Sequence, residues 1–149
     1  MARHSVRRFA GREVPRELIE TLIAEARTAP SSKNSKSTEF LIIEDPDTLL
    51  ALSQMRESGS AFVRDAAAAI VVLGDTTKTD LWQINCSIST TILQLSAVEH
   101  GLGSCWVHVN GRVRSKTEGG SAEEYVRELL GVKAEYGILC LVALGYPQE

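Results

Sequence analysis

Three short segments of the sequence could carry chemistry, and the first is the basic N-terminus. Arg3, Ser5 and Arg7 alternate with His4 and Val6. An extended chain would direct the three alternate side chains to one side, because strand side chains repeat with a period of two. Two guanidinium groups and a hydroxyl on one face suit a phosphate dianion, since charge-assisted hydrogen bonds are about twice as strong as neutral ones. The alternative is a frayed basic terminus in solvent.

The second segment is a polar loop with the sequence Ala-Pro-Ser-Ser-Lys-Asn-Ser-Lys at positions 29–36. Its proline would stop the preceding helix, and the small polar residues that follow supply many backbone and side-chain hydrogen-bonding groups. Such a loop could bind the polar edge of a planar heterocycle. It could equally be an ordinary connector between a helix and a strand.

The third segment, Gly-Leu-Gly-Ser-Cys-Trp at positions 101–106, joins a predicted helix to a predicted strand. Two glycines at such a junction would let backbone amides approach a ligand closely. The segment lacks the G-x-G-x-x-G spacing and the strand-then-helix order of a dinucleotide-binding motif. A plain turn between helix and strand explains it as well.

Other catalytic motifs are missing from the sequence. It contains no G-x-S-x-G elbow, P-loop, H-E-x-x-H motif or zinc deaminase signature. His4, His100 and His108 are far apart in the chain and do not suggest a metal site. Any demanding chemistry would therefore come from a bound cofactor.

Composition predicts a soluble globular protein and argues against two classes of partner. Of the 149 residues, 44% are hydrophobic and 23% are charged, and the net charge is −3. That charge argues against nucleic acid, which requires a broad Lys/Arg surface. The longest uncharged run, residues 81–98, contains too many polar side chains for a membrane span. We expect one domain over residues 1–149.

The cysteines predict a reducing environment. Cys86, Cys105 and Cys140 have neither zinc-site nor disulfide-framework spacing, and each lies among apolar neighbours. They are best interpreted as buried thiols. Because the N-terminus also lacks the apolar region of a secretory signal, we expect a cytoplasmic protein.

Hydrophobic periodicity predicts buried strands separated by helices, which favours an α/β layer architecture. The predicted strands cover residues 40–43, 69–73, 105–109 and 138–144. The predicted helices cover residues 14–26, 46–55, 61–68 in part, 79–100 and 121–130, the last opened by a Ser-x-x-Glu capping box at Ser121.

The long helix predicted over residues 79–100 is apolar on two sides. One side carries five large aliphatic residues, Leu81, Ile84, Ile88, Ile92 and Leu95. The other carries Trp82, Cys86, Leu93 and Ala97. A helix that is apolar on two sides must be buried on both.

Taken in order, the three segments resemble the nitroreductase family of FMN-dependent oxidoreductases. The Arg-x-Ser-x-Arg start followed by Arg-Phe, the Ala-Pro-Ser-Ser-x-Asn loop, the Gly-Leu-Gly-Ser-Cys-Trp junction and the closing Val-Ala-Leu-Gly-Tyr-Pro are all similar to family segments. The resemblance covers almost the whole chain. It departs from the family at Lys36-Ser37-Thr38, where relatives commonly have Gln-Pro-Trp.

The resemblance implies an α+β fold with a central mixed β-sheet flanked by helices, in a homodimer whose interface contains the long helix. Each FMN site would be built from both subunits. The implied FMN-binding residues are Arg3, His4, Ser5 and Arg7 at the phosphate and ribityl chain, Pro30, Ser31, Ser32 and Asn34 from the partner, and Trp106, Val107 and His108 beside the isoalloxazine. Lys36 would either stabilise a negatively charged reduced flavin or face solvent.

The implied activity is transfer of hydride from NADH or NADPH through FMN to a nitroaromatic, a quinone or a similar acceptor in a ping-pong cycle. The flavin would carry the chemistry, so no side chain need act as acid or base. Two alternatives remain at this point. One is a flavin-binding or dimeric scaffold protein with little turnover, and the other is an α/β domain that binds no flavin.

Overall fold

A computed structural model describes residues 3–148, in which helices and strands alternate along the chain. In chain order the elements are α1 (Arg16–Ala26), β1 (Thr38–Ile43), α2 (Pro46–Leu52), β2 (Ala68–Asp75), α3 (Trp82–Glu99), β3 (Gly103–His108), β4 (Val113–Ser115), β5 (Gly119–Ser121), α4 (Ala122–Leu130) and β6 (Tyr136–Gly145). Two 3₁₀ turns are added at Ser32–Asn34 and Ala61–Asp65.

The central sheet has the strand order β1-β2-β6-β3, and every pairing between these strands is antiparallel. The inner strands β2 and β6 are buried along almost their whole length. This burial agrees with their continuous apolar sequences, because strands covered on both faces lose the alternation of polar and apolar residues.

The two faces of the sheet are covered by different elements. Helices α1 and α3 pack on one face, where Leu22 and Leu93 meet Ile70 and Val142. The other face carries α2, α4 and the N-terminal segment, and its core includes many residues from these elements. The α+β fold implied by the family resemblance is therefore confirmed.

Two details differ from the sequence predictions. The sheet was expected to be mixed, but the parallel pairing found in the described part of the chain is a single bridge between Ser5 and Ser104. Pairing direction depends on tertiary packing, which the local pattern does not encode. The second difference is the β4–β5 hairpin, which lies between the predicted strand over residues 105–109 and the predicted helix over residues 121–130, where no strand was predicted. These two short strands are mostly exposed and have no apolar alternation to predict them.

The beginning of α3 is held by a tryptophan that lies over two glycines of the sheet. A Cβ atom at Gly74 would lie 2.5 Å from the Trp82 ring, and one at Gly137 would also collide with it. These two glycines are neighbours across β2 and β6. The absence of both side chains thus lets the first residue of α3 contact the sheet directly.

Helix α3 buries one of its two apolar sides within the chain and leaves the other exposed. Cys86, Leu93 and Ala97 are fully buried against the sheet. On the opposite side Ile84 is 55% exposed, and it belongs to a stripe of large aliphatic residues that we call the α3 stripe: Leu81, Ile84, Ile88, Ile92 and Leu95.

Across residues 3–148, no helix is both long enough and apolar enough to pass through a bilayer.

Candidate functional site

The N-terminal segment is attached to the sheet and is not a frayed tail. Ser5 forms a parallel bridge with Ser104 of β3, and the Val6 amide donates to the Ser104 carbonyl at 2.9 Å. Farther along, Phe9 bridges Pro147, just beyond the end of β6. These contacts exclude the solvated terminus that the sequence left open.

Packing under this segment depends on two glycines. A Cβ atom at Gly103 would lie 2.8 Å from the Cβ of Val6, and one at Gly145 would lie 2.9 Å from the Phe9 ring. Val6 and Phe9 are buried. Arg3, Ser5 and Arg7 are exposed, whereas Val6 is buried. His4 is exposed as well, so the expected alternation holds only in part.

The loop at residues 30–36 is also fixed to the fold. The Ser32 amide donates to Asn85 Oδ1 at 3.0 Å, and Asn85 Nδ2 lies 3.1–3.2 Å from the hydroxyls of Ser32, Ser35 and Ser37. The Lys36 amide donates to Ser31 Oγ at 3.0 Å. The loop is therefore a structured element attached to the first turn of α3, and not a loose connector.

A pocket of about 430 Å³ lies beside this loop. Pro30, Ser31 and Lys36 line it from the loop, with Asn85 and Ser89 from α3. Arg27 and Lys78 also line it. Together with Lys36 they give the pocket three cationic side chains, against the single carboxylate of Glu39. Lys36 is exposed, and both roles considered for it remain open. A larger cavity of about 650 Å³ is lined by residues 10–16 and others and contains none of the predicted site residues.

Strand β3 forms one edge of the central sheet, and its backbone is the third part of the site. The Ser104 carbonyl points away from β6 to accept from Val6, whereas the Val109 amide points toward β6 and donates to Leu139. Because backbone groups alternate in direction along a strand, the N–H and C=O of Trp106 point to the same open edge as those of Ser104. Backbone donors thus face outward near the N-terminal arginine segment.

Trp106 and His108 lie on the α3 side of the sheet and form a pair. The Trp106 indole Nε1 donates to His108 Nδ1 at 3.1 Å, and their rings are stacked with centroids 6.2 Å apart. Because an indole N–H can only donate, His108 Nδ1 must be unprotonated, and the proton of the neutral ring is on Nε2. Burial, with Arg112 and Arg56 nearby, lowers the pKa of His108. A hydrogen bond with the Asn110 backbone acts in the opposite direction, but the net shift of the pKa is downward, which favours the neutral imidazole.

Val107 has a different environment from its two neighbours. Its side chain is 3% exposed and packs in the core on the opposite face of the sheet. Its backbone pairs with Leu141 of β6. Its predicted position beside a flavin stays a prediction.

Within one chain the arginine segment and the loop lie near different parts of α3. The loop is bound to Asn85, while Gln94 donates to Ser104 Oγ, next to the N-terminal segment. Residues 85 and 94 are about 13 Å apart along the helix axis at 1.5 Å per residue. The structure brings Ser5 together with β3, but it does not join the arginines to the loop of the same chain.

Sequence reasoning missed Asn85, which is 2% exposed and contacts three loop serines. In the sequence analysis Asn85 was only one of the polar residues that argue against a membrane span over residues 81–98. The available signal was an amide within the inward-facing side of α3, next to Cys86, with a serine-rich loop elsewhere in the chain.

A family profile and a curated relative point to the same family. The profile described as the nitroreductase family matches residues 1–58 and 47–146. A protein of Archaeoglobus fulgidus named for NADH dehydrogenase/NAD(P)H nitroreductase activity is 31% identical over 151 residues, covering 99% of this chain and 82% of the relative.

Two solved structures are also similar to this chain. An FMN-dependent nitroreductase from Clostridium difficile R20291 has a TM-score of 0.94 and 37% identity, covering 99% of this chain and 84% of the other. A Parabacteroides distasonis protein named for NADH dehydrogenase/NAD(P)H nitroreductase activity has a TM-score of 0.90 and 31% identity, with coverages of 99% and 83%.

Proposed function

Because this chain belongs to the nitroreductase family, we propose that it binds FMN and transfers hydride equivalents from NADH or NADPH to a small-molecule acceptor. Bound FMN would supply the redox chemistry in a ping-pong cycle, with a nitroaromatic, a quinone or a similar compound as the acceptor. The proposal is supported by the names of relatives at 31% and 37% identity.

The observation that carries the proposal is the attachment of the arginine segment to the open edge of β3. The bridge at Ser5 and Ser104 holds Arg3 and Arg7 next to the strand whose Trp106 amide points outward. Guanidinium groups suit the phosphate of FMN, and outward amides suit the polar edge of its ring system. The arginines suited to the phosphate of FMN and the amide suited to its ring system thus lie along the same edge of the sheet.

His108 and the pair it forms with Trp106 give the ring end of the site a defined polarity. The Nε2–H donor of His108 would orient an electronegative atom of the cofactor or the acceptor. The neighbouring indole would exclude water on the α3 side. These roles are positional, and neither requires a side chain to transfer a proton.

We propose that a second copy of the chain completes the site. Four of the five apolar residues of the α3 stripe are exposed, and the loop is attached to the same helix through Asn85. Pairing through this stripe would bury it and bring the Pro30–Asn34 loop of one subunit toward the arginine segment of the other. The other FMN contacts expected from the family resemblance, at His4, Ser32 and Val107, are part of this proposal.

We also propose a cytoplasmic location. Cys86, Cys105 and Cys140 are free and buried, which agrees with a reducing compartment.

The direct test is the visible spectrum of the purified protein before and after anaerobic addition of NADH or NADPH. We expect a flavin spectrum that either nucleotide bleaches. A protein that is colourless and takes up no added FMN contradicts the proposal. Bound flavin that neither nucleotide reduces would support the scaffold alternative.

A double variant, Arg3→Ala with Arg7→Ala, tests the phosphate role. Charge-assisted hydrogen bonds contribute about 1.5–3 kcal/mol each, so losing two should weaken FMN binding by about a hundredfold or more. Riboflavin, which has no phosphate, should bind the variant as it binds the wild type. Arg8→Ala is the matched control, because Arg8 is also exposed but lies outside the alternating set. Equal FMN affinity in all three proteins would contradict the phosphate role.

A further inference from the structure

Asn85 is a buried amide whose hydrogen bonds are directed almost entirely at one loop. Its Oδ1 accepts from the Ser32 amide, and its Nδ2 lies within 3.2 Å of three serine hydroxyls, those of Ser32, Ser35 and Ser37. Ser37 is itself fully buried. One side chain of α3 therefore contacts the loop at its beginning, middle and end.

The orientation of this amide is fixed by its partners. The Ser32 backbone N–H can only donate, so the atom facing it must be the carbonyl oxygen of Asn85. The NH₂ group is then directed at the hydroxyls, which can accept. Rotating the amide by 180° would oppose two donors and break the contact with Ser32.

The loop that Asn85 holds has an unfavourable backbone. Lys33, Asn34 and Lys36 have φ values of 52°, 54° and 50°. This left-handed conformation is uncommon outside glycine, and lysine has no local hydrogen bond that favours it. Strained backbone of this kind persists where the surroundings impose it, and it is concentrated at ligand-binding sites.

From these two observations we propose that Asn85 is a positioning residue that preforms the Pro30–Lys36 loop for binding the flavin ring. This inference rests on the proposed function. In the free protein the Asn85 contacts hold the loop in the strained conformation, so that flavin binding does not have to order it. Because Ile84 precedes Asn85 on α3, the same helix turn that supports the loop also carries the α3 stripe.

The proposal predicts that loss of Asn85 weakens flavin binding to the same extent whether or not the flavin carries a phosphate. When only a fraction of molecules has the competent loop, the apparent Kd rises by the inverse of that fraction. If Asn85→Ala reduces the competent fraction to about a tenth, binding of both FMN and riboflavin should weaken about tenfold. The Arg3 and Arg7 variant should instead affect FMN alone.

The experiment combines flavin titration with amide hydrogen exchange of the flavin-free protein. In the wild type we expect the Ser32 amide to be protected from exchange. In Asn85→Ala the loop amides should exchange faster, and FMN and riboflavin should both bind about tenfold more weakly. Asn85→Asp retains an acceptor for the Ser32 amide, and the serine hydroxyls can turn to donate, so this variant should restore most of the protection and affinity.

Thr90→Ala is the control for general destabilisation. Thr90 is fully buried on the same helix but donates to the Cys86 carbonyl of α3 and does not contact the loop. It should lower the unfolding temperature without changing flavin affinity or loop exchange. Should Asn85→Ala fail to fold, the wild type alone retains the test, because a Ser32 amide that exchanges as fast as in an unfolded chain would contradict a preformed loop.

Three results would overturn the inference. The first is flavin affinity in Asn85→Ala within twofold of the wild type. The second is unchanged exchange of the loop amides, and the third is weaker binding in Thr90→Ala equal to that in Asn85→Ala. A wild type that binds neither flavin refutes the proposed function itself, and the role of Asn85 in flavin binding falls with it.

Discussion

Burial determines how the cysteine side chains can react. Cys86 and Cys140 are fully buried, and Cys105 is 2% exposed. Desolvation raises the pKa of the Cys86 thiol to about 11, and it raises that of Cys140 as well. Since the thiolate is the reactive form, these two groups are inert near neutral pH while the protein is folded.

We therefore predict that Ellman's reagent modifies no thiol rapidly in the native protein at pH 8. All three thiols should react within minutes after denaturation in guanidinium chloride. Rapid native reaction, assigned by mass spectrometry to Cys86 or Cys140, would contradict the buried positions. Reaction at Cys105 alone would indicate local opening of β3.

His108 makes a pH-dependent contribution to stability. Burial, with Arg112 and Arg56, lowers its pKa in the folded protein from the ordinary value of 6.5. The unfolded chain then binds more protons than the folded chain between the two pKa values, so stability falls as pH drops below about 6.5. Protonation of Nδ1 also removes the acceptor used by Trp106.

We predict that the wild type loses stability relative to His108→Gln between pH 7 and pH 5. The measurement is the free energy of unfolding in urea at several pH values for both proteins. A difference that does not change with pH, or a His108 pKa at or above 6.5 by NMR, would contradict this prediction.

The junction of α3 with the sheet depends on the absence of two side chains. Trp82 lies over Gly74 and Gly137, and three residues later Asn85 reaches the loop. A methyl group under the indole would displace the first turn of α3, and the Asn85 amide with it.

We predict that Gly137→Ala destabilises the protein by about 1–3 kcal/mol, the usual cost of overpacking a core. It should also speed the exchange of the Ser32 amide. Gly11→Ala is the control, because a Cβ atom at Gly11 would meet nothing within 4 Å. Calorimetry and hydrogen exchange measure both effects, and equal stability of the two variants would refute the packing argument.

Most of these elements were predictable from the sequence, but their pairings were not. Apolar runs identified β2 and β6 within three residues at each end, and Ser121 is confirmed as the N-cap of α4 by its hydrogen bond from the Glu124 amide. The bridge from Ser5 to Ser104 was not predictable. It depends on Val6 fitting the space left by Gly103, which is a match between residues distant in sequence.

The candidate site shows the same limit. Residue types and alternation identified Arg3, Ser5 and Arg7 as a possible phosphate-binding set, and the structure shows all three exposed beside β3. Asn85 was missed because its importance comes from the three serines that surround it in space. The sequence pattern of α3 distinguishes only polar from apolar positions.

The folded chain as a whole presents one long apolar surface that its own core does not use. The α3 stripe contains four of the seven large hydrophobic residues that are exposed among residues 3–148, namely Leu81, Ile84, Ile88 and Leu95. Contiguous exposed apolar surface of this kind marks an association site.

We predict that the wild type is a dimer by sedimentation velocity and that Ile84→Glu is a monomer that retains its fold by circular dichroism. Because the proposed site uses both subunits, the monomer should also lose most of its FMN affinity. Leu50→Glu is the control, since Leu50 is 43% exposed but lies on α2. A monomeric wild type at tens of micromolar, or a dimeric Ile84→Glu, would contradict this prediction.

The hydrogen bonds between the N-terminal segment and the residues that follow β6 have a consequence for the order of folding. The amide of Ala10 donates to the Tyr146 carbonyl, and the amide of Gln148 donates to the Arg8 carbonyl. Residues 8–10 therefore acquire their final contacts only after β6, which is synthesised later, has joined the sheet. The proposed FMN site can therefore be completed only when this C-terminal strand has paired with β2 and β3.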